Sequence, residues 1–351
     1  MNTSTSYEYY QRQLILKGFG EEAQRKLQQA KIMVIGAGGL GCPAIQYLSA
    51  MGIGCIGVVD GDLVSASNLH RQILFSVNDI GKQKAQVVFE KVSLQNNSIN
   101  IHSFSEYLTQ QNAFNIIEQF DIVLDCTDNF LARYIINDVC VLLKKPLVFG
   151  AVFQYEGQVA VFNLIEHDTN YRDLFPLAPN ADQAPDCAEA GVYAITTGII
   201  GVMQAGEAIK VITGIGNPLR NQLLTLNMLT NSFYQIENSA RLKDPKGPGS
   251  KEEFLKTNYQ TFCSNTSTIK DEIDAVEFDQ LIHREDVQLI DIRNEDELPR
   301  VDELNALRIP LLSLKKDAEL LDQTKRIVLF CHSGMRTQSA LEILQDELHF
   351  N

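Results

Sequence analysis

With 351 residues, 45% of them hydrophobic, the chain is long enough for two domains with separate cores. Its formal net charge of -14 argues against a grip on nucleic-acid phosphates, which draws its free energy from clustered Lys and Arg, although a few cations and backbone amides still suffice for a nucleotide. Seven scattered cysteines with no CxxC pair, an N-terminus with neither basic nor apolar signal region, and no apolar run of about 18 residues read as a reduced, cytoplasmic protein with no membrane partner.

In chain order, residues 7–30 are expected as two helices broken near Gly18 and Gly20, and Lys31–Ile35 as the first strand. The glycines of residues 36–41 open a helix that runs to about Met51, and a second strand, Cys55–Val59, ends at Asp60. Apolar runs at 122–124, 146–149 and 158–163, with helical stretches between the earlier ones, predict an α/β fold: a mostly parallel sheet covered on both faces, with antiparallel pairing open for the later strands. Residues 196–212, almost uncharged until Glu207, predict a long helix. Composition then turns rich in Pro, Gly, Ser and Lys, so a domain over 1–245 is expected to pass through a linker at 246–270 into a smaller α/β domain at 271–351. That second domain shows two apolar stretches, 287–293 and 326–334, the latter followed by a helix from Arg336.

Gly36, Gly38 and Gly41, between a strand and a helix, bring backbone amides close to an anionic phosphate, and Asp60, at the end of the next strand, is placed to accept from ribose hydroxyls. On the glycines alone a nicotinamide oxidoreductase is an equal reading. The following segments add Asn68, Arg71, Gln72 and Lys84. Cations beside the phosphates suit an adenylating site, where charge builds on the α-phosphate and on departing pyrophosphate; a solvated surface face is the other account of Arg71 and Lys84. Asp128 follows the strand at 122–124 and falls at the C-terminal edge of the sheet, offering magnesium a hard oxygen, whereas a helix N-cap is the structural alternative for Asp128 and Asn129.

The ordered motifs Tyr10-Gln-Arg-Gln13, GAGGLGCP, DxDxVxxSNLxRQ, GKxKA, DCTDNFxxR and EGQVAVFN resemble the MoeB/ThiF family of E1-like adenylyltransferases over about residues 7–245. The resemblance implies a doubly wound, Rossmann-like E1 domain that uses ATP and magnesium. ATP would be bound by Gly36, Gly38, Gly39, Gly41, Asp60, Asn68, Arg71, Gln72, Lys84, Asp128 and Asn129, with Asp128 organising magnesium. It also implies a homodimer, in which Arg12 reaches the partner subunit's phosphates, and a ubiquitin-like sulfur-carrier partner of the MoaD or ThiS type. Cys187, in Pro185-Asp-Cys-Ala-Glu-Ala-Gly-Val192, stands where family members can bond covalently to the carrier. Most members hold zinc with two CxxC pairs; here those segments read Asn170-Tyr-Arg-Asp-Leu-Phe-Pro176 and Asp244-Pro-Lys-Gly-Pro-Gly249, so no zinc is expected.

Cys331-His332-Ser333-Gly334-Met335-Arg336 lies between a strand and a helix, a context that wraps amides around a sulfur anion and stabilises a thiolate or persulfide. Four residues separate Cys331 from Arg336, where related phosphatase loops have five, which suits a terminal sulfur better than a phosphate. With Leu289-Ile-Asp-Ile-Arg293 this resembles a rhodanese domain, taking sulfur from a donor such as a cysteine desulfurase or thiosulfate. Residues 300–310 lack the family's glycine-rich stretch and Thr337 replaces the more frequent Ser, so an inactive docking fold is the other account. Joined, the domains predict adenylation of a carrier's C-terminal glycine followed by thiocarboxylate formation. The rivals are an E1-like enzyme acting on a small molecule or tRNA base, the oxidoreductase, and a non-catalytic scaffold.

Overall fold

Strand β1, Lys31–Ile35, decides how the larger unit is layered. Ile32 and Val34 enter one apolar cluster and Met33 and Ile35 another, so the strand is buried on both faces, as a central parallel strand must be. The computed structural model describes residues 3–176, 191–238 and 247–259 and, beyond them, 273, 275–282, 284, 286–293, 304, 306–322, 324–331, 337, 340, 341 and 343–347. These fall into two compact units, one reaching residue 259 and one beginning at residue 273.

The first unit is built on an eight-stranded sheet: β2 (Cys55–Val59), β3 (Asn100–Phe104), β4 (Ile122–Asp125), β5 (Leu147–Phe153), β6 (Glu156–Phe162), β7 (Gln222–Asn227) and β8 (Ser232–Glu237) join β1 in the order β3-β2-β1-β4-β5-β6-β7-β8. Pairing is parallel from β3 through β5 and antiparallel from β5 to β8. This is the doubly wound arrangement, with an antiparallel extension at one edge. Helices α1 (Thr3–Leu14) and α2 (Gly20–Gln29) separate at Gly18 and Gly20, whose φ of 85° and 62° favour glycine. Residues of α2, α3 (Gly41–Ala50) and α4 (Lys84–Gln95) cover one face, while α5 (Ala113–Ile117), α6 (Phe130–Leu143) and α7 (Tyr171–Leu174) cover the other.

Helix Ala194–Thr213 is long and apolar enough to cross a membrane by length and composition alone. Its Thr196, Ile200, Gln204 and Ala208, spaced by one turn, are instead buried within the first unit, where the helix packs on α3, β5 and β6. Two of its polar side chains are satisfied there: the Gln204 amide donates to the Asp125 carbonyl at 2.6 Å, and the Glu207 carboxylate accepts from the Leu219 amide at 2.8 Å.

Residues 247–259, expected within the linker, pack on the first unit. Ser250 caps helix Lys251–Lys256 by accepting from the Glu253 amide at 3.1 Å, and Phe254, fully buried, meets Phe114 edge-on at a centroid distance of 5.1 Å. Tyr259 is buried beside them. In the second unit β9 (Val287–Asp291) lies between β10 (Leu307–Arg308) and β11 (Arg326–Phe330), all parallel. Ile290 and Ile292 face one cluster with Ile309 and Leu314, and Leu289 faces another with Leu281 and Val328.

Candidate functional site

The turn from β1 into α3 is a loop that side chains cannot enter. Gly36 has φ 95° and a Cβ there would lie 2.8 Å from the Cys126 carbonyl oxygen; at Gly41 a Cβ would lie 1.9 Å from the carbonyl oxygen of Gly36. Gly39 abuts Thr197 in the same way, at 3.1 Å. Gly38 differs. Among the described residues its only near neighbour is the Gln72 amide nitrogen, at 3.9 Å, so they leave the room before it open.

Asp60, at the end of β2, is buried, and its carboxylate accepts from the amides of Ala37 at 2.7 Å and Asp62 at 2.8 Å. It thus joins the glycine loop to the next turn. Burial pushes this carboxyl above its ordinary value, against the opposing pull of Lys84 and the two amides. Lys84 is only 3% exposed and opens α4, where a cation opposes the helix dipole; its ammonium meets Asp62 at 2.7 Å, and Tyr107 donates to the other Asp62 oxygen at 2.6 Å. Partial burial would raise Asp62, but the bonds from Lys84 and Tyr107 outweigh it and hold the carboxyl below its ordinary value. Arg71 donates to the Asn68 side chain at 2.8 Å, a half-buried pair. Gln72 is buried with its side-chain oxygen unpartnered among the described residues, facing the one open glycine through its nitrogen.

At the end of β4 the two residues considered for a cap divide the work. Asn129 caps α6, accepting from the Ala132 amide at 2.9 Å, and Asp128 is exposed with no hydrogen bond to any described residue. Asp128 therefore retains a hard oxygen for a cation. Magnesium keeps several waters and takes one or two protein carboxylates beside substrate phosphates, so this single carboxylate fits it. Among the described residues no three of His, Cys, Asp and Glu converge on one point. Arg12 stands exposed on α1 between two inward anchors: Tyr10, whose hydroxyl accepts from Asn96 at 2.9 Å, and Gln13, which donates to the Met51 carbonyl at 3.1 Å.

The zinc that the family resemblance implies for the segments beginning at Asn170 and Asp244 does not fit the residues present. Asn170 and Asp173 spend their side chains on a reciprocal cap of α7, Ser250 caps its own helix, and Gly247 offers no donor. Beside Gly247 lies a buried ion pair instead. Asp138 accepts from Nε and Nη2 of Arg172, both at 2.7 Å, and from the Tyr259 hydroxyl at 2.7 Å.

In the second unit Cys331 follows β11 and is half-buried. Phe330 pairs with Asp291 across β11 and β9, and Asp291 holds Arg293 at 2.7 Å, with the guanidinium 5.5 Å from the Phe330 ring centre. The Asp and Arg of the 289–293 motif thus stand at the sheet edge that presents Cys331. Residues 332–336, the rest of the expected persulfide loop, and Cys187 lie outside the described residues. Burial pushes the thiol of Cys42 up to about 12 and raises those of Cys126 and Cys140, which makes all three packing residues rather than nucleophiles.

Asp62 and Tyr107 were not singled out from sequence. The first carried a signal, the acid spaced two residues from Asp60 in the DxD motif; the second carried none.

Residues 10–248 match the ThiF family and residues 274–351 match the rhodanese-like domain. A sulfur carrier protein adenylyltransferase of Thermus thermophilus is 42% identical over 74% of this chain and 98% of its own length. The adenylyltransferase and sulfurtransferase MOCS3 of Drosophila sechellia is 36% identical over 99% of this chain and 81% of its own length. The crystal structure of E. coli MccB shares the fold, with a TM-score of 0.61 at 20% identity, covering 68% of this chain and 72% of that one.

Proposed function

From a chain that belongs to the ThiF family and carries a rhodanese-like domain at its end, we propose an enzyme that adenylylates the C-terminal glycine of a ubiquitin-like sulfur carrier and then delivers sulfur to it. The observation that carries this reading is the meeting of Asp60, a buried Lys84 and an unpartnered Gln72 oxygen around a glycine loop. A hydride-transfer site has little use for that buried cation.

ATP lies with its phosphates on the glycine loop and its ribose on Asp60. Lys84, with Arg71 oriented by Asn68, stabilises charge on the α-phosphate and the pyrophosphate; Gln72 adds its amide. Magnesium, held by Asp128, would neutralise phosphate charge when bound. The carrier's carboxylate oxygen attacks the α-phosphorus, the bond to pyrophosphate breaks, and an acyl adenylate forms. The terminal sulfur of a persulfide on Cys331 then attacks the acyl carbon, expelling AMP and leaving an acyl disulfide. Attack by the thiol of Cys187 on the Cys331 sulfur releases the thiocarboxylate and leaves a disulfide for a cellular thiol to reduce. A thiosulfate or cysteine desulfurase donor recharges Cys331.

Because Arg12 is exposed between two residues anchored to their own chain, we assign it to the phosphates of a second subunit in a homodimer. The chemistry requires reduced thiols, which supports a cytoplasmic setting. Carrier-dependent exchange of labelled pyrophosphate into ATP tests the adenylation step: it should be present in the full chain and lost in Asp128→Ala. Exchange that is absent with every MoaD-type or ThiS-type carrier, or unchanged in the variant, would overturn the reading.

A further inference from the structure

We propose that the ring of Tyr107 is the platform on which the nucleotide base lies, a specificity-determining contact that rests on the ATP reading above. The strand order β3-β2-β1-β4 gives the direction. Phosphates sit at the end of β1 and ribose at Asp60, at the end of β2, so the base is carried on toward the end of β3. There the backbone closes up against the ribose acid, the Asp60 amide donating to the Phe104 carbonyl at 3.1 Å. Tyr107 is three residues further on.

Its ring is held at both ends. Below, it rests on Gly61, where a Cβ would come within 2.8 Å of the ring carbons Cγ and Cδ2. At its tip, the hydroxyl is bound to Asp62. Yet the side chain is 64% exposed. Fixing an aromatic rotamer without burying the ring gives up entropy for little apolar gain, a poor arrangement for packing and a good one for a pre-organised stacking surface. Asp62 also holds Lys84, so a single carboxylate ties the base platform to the phosphate cation.

The test uses the full chain, which contains no Trp. Stacking on an aromatic is lost on truncation, so Tyr107→Ala should weaken ATP binding by about 10-fold or more in calorimetry, while Tyr107→Phe, which keeps the ring and loses only the tether, should weaken it about 2–3-fold. Tripolyphosphate, which has no base, should bind Tyr107→Ala and Tyr107→Phe alike, since both lose the same tether to Asp62. Tyr107→Trp places a sole indole at the site, whose emission should be quenched by ATP and not by tripolyphosphate. An ATP affinity in Tyr107→Ala equal to wild type, or an indole indifferent to saturating ATP, overturns the platform alone. Wild-type protein that binds no ATP overturns this and the adenylation reading together.

Discussion

Arg172→Met probes the corner of the first unit where the family resemblance implies zinc ligands and the sequence has none. Asp138 is 2% exposed and accepts four bonds: two from Arg172, one from Tyr259 and one from Asn137 at 3.0 Å. Methionine preserves much of the apolar stem and removes the cation, leaving a buried carboxylate with two neutral donors. Breaking a buried pair in this way typically destabilises by about 3–5 kcal/mol, and the two remaining donors favour the lower figure. At a urea slope of about 3 kcal/mol/M, a loss of about 3 kcal/mol lowers the unfolding midpoint by about 1 M.

The assay is urea unfolding followed by near-ultraviolet circular dichroism, because Tyr134, Tyr171 and Tyr259 surround the pair and residues 271–351 contain no Tyr or Trp, so the signal reports on the first unit. Adding Asp138→Leu to Arg172→Met should recover part of the loss, since an apolar replacement of a whole buried pair is often close to neutral, and Tyr259→Phe should recover more by removing the stranded hydroxyl. A midpoint shift below about 0.3 M, or a loss abolished by 1 M salt, would refute the account, because a buried pair is scarcely screened. EDTA should leave the wild-type midpoint unmoved. A fall would mean that a metal holds this corner.

Gly41→Ala drives a Cβ into the Gly36 carbonyl and should abolish ATP binding with a lowered melting temperature, whereas Gly38→Ala meets only the Gln72 amide and should melt like wild type while weakening ATP; equal melting of the two variants would discount the loop geometry. Acidification should weaken ATP binding first through Asp60, whose raised value makes it take up a proton above the ordinary range for aspartate, and Asp60→Asn should flatten this limb of the calorimetric affinity profile. The stability signs are opposite for the two acids. The contribution of raised Asp60 is present below its unfolded value and lost as pH rises through the folded one; that of lowered Asp62 is present above its unfolded value and lost as pH falls through the folded one. Cys331→Ala should abolish sulfur transfer from thiosulfate to cyanide and leave pyrophosphate exchange intact; retained transfer would point to a different thiol.

What could be read from sequence divides by the range of the interaction that decides it. β1 and the glycine loop were legible because adjacent residues settle them: alternate residues of one strand bury on opposite faces, and Gly36 and Gly41 approach each other within a single turn. The edge strand β8, Ser232–Glu237, was not legible because Phe233, Tyr234 and Ile236 are exposed and follow no buried-face alternation, its strand partner among the described residues being β7 alone. The segment 247–259 read as linker because average composition hides its anchors, Phe254 and Tyr259, among Lys, Gly and Glu. Lys84 was legible as a candidate cation, but its pairing was not, since that depends on Asp62 from the preceding loop, itself held by Tyr107 from beyond β3. The corner beside Gly247 carries the point furthest. The missing cysteines are visible in two short motifs, but only Arg172 of the replacing contacts lies inside either motif. Asp138 comes from the middle of α6 and Tyr259 from beyond the second motif, so no local pattern could have announced that an ion pair, rather than an empty corner, stands beside Gly247.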